Sequence, residues 1–259
     1  MHWILIIGLW CVNAVAGTAG QTFAYEVISV SDGGSIVGTI QYSGPRPAVE
    51  PLAISKDQEV CGKTKKVDET LLIGEHQGVQ NAVVSLIDIT KGKQFAQKNV
   101  ILDQKECRYA PHVLLVPVNS ELSILNNDGI LHNFHSLSTK NPIINKPQPK
   151  FKKVMKEKFS NPEVIKIVCD AHAWMSGWLI ITEHPYYAIS DGQGKFLLEG
   201  IPPGEFTLKV WHEVLKETTQ KIRVAPSERQ EIVIELKNEQ GLKRNFSYFD
   251  YSQNMRNFS

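Results

Sequence analysis

The sequence lacks a dominant charge: 28 Lys and Arg stand against 27 Asp and Glu, for a formal net charge of +1. Such a balance gives no field that would gather nucleic acid, and no nucleic-acid partner is expected. Any long stretch with apolar residues at helical period is also missing. The apolar positions come in short, often alternating runs, which predicts an all-β chain. A long hydrophobic run is found only near the N-terminus, where Trp3–Val12 is too short to span a bilayer comfortably and is followed by small residues. Ala14-Val15-Ala16, or the run to Ala19, offers a cleavage site, so residues 1–19 read as a secretory signal with a weak n-region of His2 and the amino terminus. A periplasmic or secreted protein follows; membrane attachment would require that this segment stay uncleaved. Trp10 before Cys11 does not suit a lipoprotein site.

Cysteine is scarce too, with four residues, yet one of them lies at the centre of the most informative stretch. Cys169-Asp170-Ala171-His172-Ala173-Trp174-Met175 puts a thiolate, an imidazole and a thioether in one C-x-x-H-x-x-M loop. Upstream, Asn126-Asn127-Asp128-Gly129-Ile130-Leu131-His132-Asn133-Phe134-His135 supplies further imidazoles. A cysteine sulfur, two imidazoles and a weak axial methionine are the donor set of an electron-transferring copper centre. Singly, His132 reads as a strand-end surface histidine, Met175 as a core filler and Cys169 as a buried thiol; the joint spacing points to a metal. His135 is open between supporting a ligand, replacing Met175 and belonging to a separate site. Zinc suits the set less, since the thioether would contribute little to it.

Signal cleavage would remove Cys11 and leave Cys61, Cys107 and Cys169. In an oxidising compartment two of these should pair. Because Cys169 has the metal-type neighbours, the expected disulfide is Cys61–Cys107. The alternative is three unrelated buried thiols.

Gly34–Tyr42 alternates as a half-buried strand and ends at Ser43-Gly44-Pro45. An irregular, Pro-containing passage follows through Cys61. Further strands are expected over Ala82–Ile89, Asn99–Leu102, His112–Pro117 and Glu121–Leu125. Lys140–Phe159 is rich in Pro and Lys and reads as a solvated loop; the alternative is a basic patch that steers an acidic redox partner. Glu163–Val168 then delivers Cys169, and Trp178–Thr182 leaves the loop. Tyr187–Phe196 reads as two strands about a tight Asp-Gly turn, Gly200–Gly204 as another turn, and Phe206–Trp211 and Glu231–Leu236 as the last strands. Residues 238–259 are expected to form a flexible tail. His112 is placed to approach the ligand end, His184 and His212 read as structural, and His76 has no companion motif. Trp174 and Trp178 are either a shield for the site or simply core.

The ligand segments resemble the cupredoxins, the small blue copper β-sandwiches. Asn126–Asn133 is similar to the N-N-x-G-x-x-H-N segment of plastocyanin-type members, and Cys169–Met175 has the compact form found in amicyanin. The resemblance implies His132, Cys169 and His172 as strong equatorial ligands and Met175 as the weak axial one. It also implies that Asn133 ties the two ligand loops together by hydrogen bonds. His135 and the bulky Trp174 depart from the pattern. A second resemblance, to the carboxypeptidase regulatory-like (prealbumin-type) sandwich, rests on Gly38-Thr39-Ile40, Ala82-Val83-Val84-Ser85-Leu86, Asp191–Phe196 and Gly200–Leu208. Together they imply a Greek-key cupredoxin sandwich over 97–184, inserted in or fused to a second, smaller sandwich made from 33–92 and 185–237.

The expected function is therefore that of an exported one-electron carrier with one mononuclear type 1 (blue) copper per chain, and not an enzyme. A single thiolate in the loop argues against a dinuclear centre of the two-cysteine kind, and no H-x-H motif of the multicopper oxidase type occurs. Its partners would be redox proteins. The alternatives are a copper carrier or resistance protein that hands Cu(I) to exchange partners, and a non-catalytic β-sandwich interaction module.

Overall fold

Apolar residues two apart along the chain build the strands of this protein. The computed structural model describes residues 25–96 and 99–238; the expected signal segment and, past Asn238, the expected tail lie outside the described residues. Burial alternates along Gly34–Tyr42, turning Ile36, Ile40 and Tyr42 inward. It alternates again along Val100–Lys105, where Val100 and Leu102 face the core. The fold is all-β, as its short alternating runs predict.

Two pairs of sheets each enclose a core. In the first pair, Tyr187–Ile189, Val83–Leu86, Gly204–Trp211 and Thr218–Val224 form one sheet, and Lys195–Ile201, Gly34–Tyr42 and Arg229–Leu236 form the other. Between them lie Ile36, Ile40, Val84, Leu86, Leu208 and Val210. In the second pair, Asn145–Gln148, His132–Leu137, Glu163–Val168, Ser176–Thr182 and Val113–Pro117 form a mixed sheet. It faces Val154–Glu157, Leu122–Asn126, Val100–Lys105 and Arg108–Ala110 across Leu102, Tyr109, Phe134, Ile165, Ile167 and Leu179. Each such fully buried large side chain is worth about 1.5–3 kcal/mol relative to exposure. Val83 from one pair and Val113 and Ile180 from the other make a smaller apolar cluster, beside which Trp178 and Trp211 pack edge to face.

The Lys- and Pro-rich passage is not simply a loop. Asn145–Gln148 pairs with His132–His135, and Val154–Glu157 pairs with Leu122–Leu125. Both lie at the outer edge of their sheets, where proline costs no ladder bond and lysine discourages pairing with another chain. Their composition is that of protected edges, which imitates that of a loop. The Asp191–Gly194 turn also differs from its reading as a hairpin. The strands on either side of it belong to different sheets, Tyr187–Ile189 pairing with Val83–Ser85 and Lys195–Ile201 with Gly34–Thr39. Gly194 has φ +78°, and a Cβ there would lie 2.3 Å from the Ile40 carbonyl oxygen, so the turn needs glycine.

Glu163 fastens one end of the five-stranded sheet. Its carboxylate accepts bonds from the Ser138 hydroxyl (2.6 Å), the Thr139 amide (2.6 Å) and the Asn141 side chain (2.9 Å). Burial pushes this carboxyl up, but those bonds outweigh it and hold the pKa near about 2, below the ordinary 4.5. A carboxyl depressed in the folded state contributes stability that is complete above pH 4.5 and is lost as the pH falls toward 2. Glu163→Gln should cost about 2 kcal/mol at neutral pH and flatten the acid limb of stability in urea unfolding; an unchanged acid limb would contradict this role.

Candidate metal centre

Strand pairing brings the two ligand segments to one end of the sandwich. His132–Leu137 runs antiparallel to Glu163–Val168, with Val168 opposite His135. The start of the first strand and the residue just past the second are therefore neighbours, and these are His132 and Cys169. Val168 also faces Ser176 on the following strand, so 169–175 closes a short connection, fixed by the Cys169 amide on the Met175 carbonyl at 3.0 Å. Two consecutive turns shape it: the His172 amide donates to Cys169 O at 3.2 Å and the Met175 amide to His172 O at 2.9 Å. Every third residue consequently turns inward. Cys169, His172 and Met175 are buried, while Asp170 and Ala173 are exposed.

Three donor atoms converge there. His132 Nδ1 lies 3.2 Å from His172 Nδ1, and Cys169 Sγ lies 3.6 Å from His172 Nδ1 and 4.0 Å from His132 Nδ1. All three residues are buried, and their ligand atoms lie within 4.8 Å of one another. Met175 shares the same buried cluster as Cys169. The imidazoles' far sides are also held: His132 Nε2 meets Asp128 Oδ2 at 2.8 Å and His172 Nε2 meets Asp57 Oδ2 at 2.9 Å. Those bonds leave both Nδ1 atoms turned toward the sulfur.

The surroundings lock this arrangement. The Asn133 amide donates to Cys169 Sγ at 3.3 Å, and Asn133 Oδ1 accepts the Asp170 amide at 3.3 Å, two hydrogen bonds between the segments. Beneath them the Tyr109 hydroxyl lies 2.6 Å from the Asn133 carbonyl and 2.9 Å from the Val168 carbonyl. Fully buried Asn126 braces the loop before His132 by donating to Ile130 O (2.8 Å) and Gln148 O (2.9 Å). Trp174 packs its ring 5.1 Å from that of His172 and donates to the Cys107 carbonyl. Cys61 and Cys107 form the expected disulfide, and Cys169 is the free cysteine among the described residues.

His135 is not brought to the three donors. Its Nδ1 faces Asp170 Oδ1 at 3.0 Å on a partly exposed surface. His112 Nε2 is taken by Glu213 Oε1 at 2.6 Å. His184 and His212 are buried, and desolvation holds each at about 4, as suits structural neutral histidines. A second grouping of Cys107, Asp128 and His132 has no thiolate to offer, because the Cys107 sulfur is spent in the disulfide. Sequence reasoning missed Asp128, Asp57 and Tyr109. Asp128 had a local signal, four residues before His132; Asp57 is 115 residues from His172 and had none.

The donor set fits copper. One thiolate and two imidazoles offer soft and borderline ligands to one point, with the Met175 side chain in the same buried cluster as Cys169, a donor set poor in the oxygen atoms that magnesium or calcium would demand.

Solved structures align with about a third of this chain. A copper-containing nitrite reductase (NirK) from Thermus scotoductus SA-01 aligns with TM-score 0.31 and 18% identity, over 35% of this chain and 24% of that one. A Cu(I) form of an amicyanin mutant aligns with TM-score 0.30 and 16% identity, over 34% and 87%. A purple cupredoxin from Nitrosopumilus maritimus aligns with TM-score 0.28 and 22% identity, over 33% and 100%. The chain thus spans about a quarter of the nitrite reductase. No protein-family model and no curated protein matches the sequence.

In the metal-free site a thiolate and an imidazolium stabilise each other. Burial raises the Cys169 thiol, but hydrogen bonds from His132, His172 and the amides of Asn133 and Ala171 outweigh it and bring it down to about 6. Burial lowers His132, and Asp128 and Cys169 together lift it to about 9. Followed by ultraviolet thiolate absorbance in metal-free protein, Cys169 should titrate near about 6 instead of 9. His132→Ala should move that midpoint upward, and an ordinary thiol midpoint in the parent protein would contradict the description.

Proposed function

We propose that this is an exported copper-binding protein that carries single electrons through one mononuclear copper, held by His132, Cys169 and His172 with Met175 as the weak fourth donor. The observation that carries the reading is the convergence of one buried sulfur and two Nδ1 atoms, each imidazole braced from behind by a carboxylate. Copper bound there would supply a one-electron Cu(I)/Cu(II) couple. Thiolate and thioether suit the reduced ion and imidazole suits both states, so neither state should need a different ligand set.

The chain's own residues supply the rest. Strand ends fix His132 and Cys169, and the double turn fixes His172 and Met175, which keeps rearrangement small when the charge changes. Asn133 and the Ala171 amide direct hydrogen bonds at the sulfur and favour its anionic form. Burial excludes water and competing ligands. The role is transfer of electrons between larger redox proteins, without a reaction of its own. The sheets built from 34–86 and 187–236 form, on this reading, the carboxypeptidase regulatory-like sandwich that flanks the copper domain, and the leader at 1–19 directs export to the periplasm or beyond.

Loaded with Cu(II), the protein should show an intense thiolate-to-copper absorption band at a stoichiometry of one copper per chain. Cys169→Ser should abolish the band, and His172→Ala should weaken both band and retention. Reversible voltammetry with unchanged metal content supports electron transfer. Loss of the metal to a competing apo-protein on the same timescale would favour copper handling, and failure to bind stoichiometric copper would leave the interaction-module reading.

A further inference from the structure

The carboxylates behind the two imidazoles come from distant parts of the chain, yet both are anchored on one cysteine. The turn Glu106-Cys107 joins Val100–Lys105 to Arg108–Ala110 with φ +54° at both residues, the primed-turn conformation of tight hairpins. Neither residue is glycine, so this backbone is held at some cost. The turn aims both of its amides at Asp128: Glu106 N donates to Oδ1 at 2.6 Å and Cys107 N to Oδ2 at 2.7 Å. Asp128 Oδ2 in turn faces His132 Nε2 at 2.8 Å.

The Cys107 sulfur reaches the other imidazole. Its disulfide to Cys61 secures the single-turn helix Gln58–Cys61, whose N-cap position is Asp57. The Cys61 amide donates to the Asp57 carbonyl at 2.8 Å, and Asp57 is itself held at φ +49°. From there its carboxylate meets His172 Nε2 at 2.9 Å. Buried Lys66 closes the far side, its ammonium bonded to the Cys61 carbonyl and 3.2 Å from that of Thr64. The Cys107 carbonyl accepts Trp174 Nε1 at 3.3 Å, and that indole packs on His172. Amide, carbonyl and sulfur of one residue thus each lead to a candidate ligand.

We propose that the Cys61–Cys107 disulfide is a clasp that positions Asp57 and Asp128 on the two metal-site imidazoles, and that Asp57 is a positioning residue which lowers the reduction potential and slows loss of the metal. This rests on copper binding by His132, Cys169 and His172. The physical basis is charge and orientation. A carboxylate on the far nitrogen strengthens the imidazole as a donor and fixes its tautomer. Negative charge beside the site favours the more positive oxidation state. The clasp also lays a segment that precedes the copper sandwich in sequence across the outer edge of His172, which is buried beneath it.

The test uses the full chain loaded with copper, comparing parent, Asp57→Asn, Asp57→Ala, Asp57→Glu and the Cys61→Ser/Cys107→Ser double variant. Reduction potential is read by voltammetry, and Cu(I) loss by capture with a bathocuproine chelator. Removing an outer carboxylate typically costs about tenfold or more in metal affinity. A tenfold loss confined to Cu(II) raises a one-electron potential by about 59 mV. Asp57→Asn, which keeps a polar side chain and removes the charge, should show that rise, and Asp57→Glu should recover part of it. The double cysteine variant should show the same rise, and adding Asp57→Asn to it should change the potential little further, because both act through one contact; Asp57→Ala and the double variant, which also free the imidazole to move, should release Cu(I) measurably faster than the parent. If the double variant does not fold, the Asp57 series decides. An intact thiolate-to-copper band with parental potential and release rate in Asp57→Asn and Asp57→Ala would overturn the clasp while leaving copper binding in place. Absence of the band from the parent protein would overturn both.

Discussion

Everything at the candidate centre depends on the antiparallel register between His132–Leu137 and Glu163–Val168. That pairing sets the head of one strand beside the tail of the other, so residues 37 apart in sequence become neighbours without a long loop to hold them. A slip of one residue would exchange the faces of the strand and turn His132 and Phe134 away from the interior. The buried cluster of Phe134, Ile165, Ile167 and Leu179 resists such a slip, since it would expose several large apolar side chains at about 1.5–3 kcal/mol each. The apolar core therefore supplies the precision of a site whose own groups are polar.

Those polar groups are tolerable in a core because each one is answered. Cys169 meets two imidazoles and backbone amides, His132 meets Asp128, and His172 meets Asp57. An unanswered buried charge would cost several kcal/mol. The carboxylates close this account at its outer edge, and they are also what stiffens the imidazoles. Folding and function accordingly meet in the same contacts: the disulfide turn that steadies the loop before residue 70 also steers the ligands.

Much of this was legible in the sequence where signal and structure are local. The C-x-x-H-x-x-M spacing matches two successive turns, so inward-facing Cys169, His172 and Met175 could be read from three-residue steps. Alternation in Gly34–Tyr42 and Val100–Lys105 gave away half-buried strands, and elimination among the cysteines pointed to Cys61–Cys107. What stayed hidden depended on distance or on an ambiguous composition. Asp57 acts 115 residues from its partner, and nothing near it marks an outer support for a ligand. Asn145–Gln148 and Val154–Glu157 carry the lysines and proline that edge strands tolerate, and a one-dimensional reading assigns the same residues to a loop. His135 sits near His132 in sequence, but a six-residue strand sends it to the opposite contact, with Asp170.

The measurement that tests the central claim most directly is X-ray absorption at the copper edge of the stoichiometrically loaded chain, beside the Cys169→Ser variant. The account predicts one strongly bound sulfur and two imidazoles in the parent protein, with the strong sulfur contribution gone from the variant. A first shell of nitrogen and oxygen alone, unchanged by the substitution, would place the metal elsewhere and contradict it.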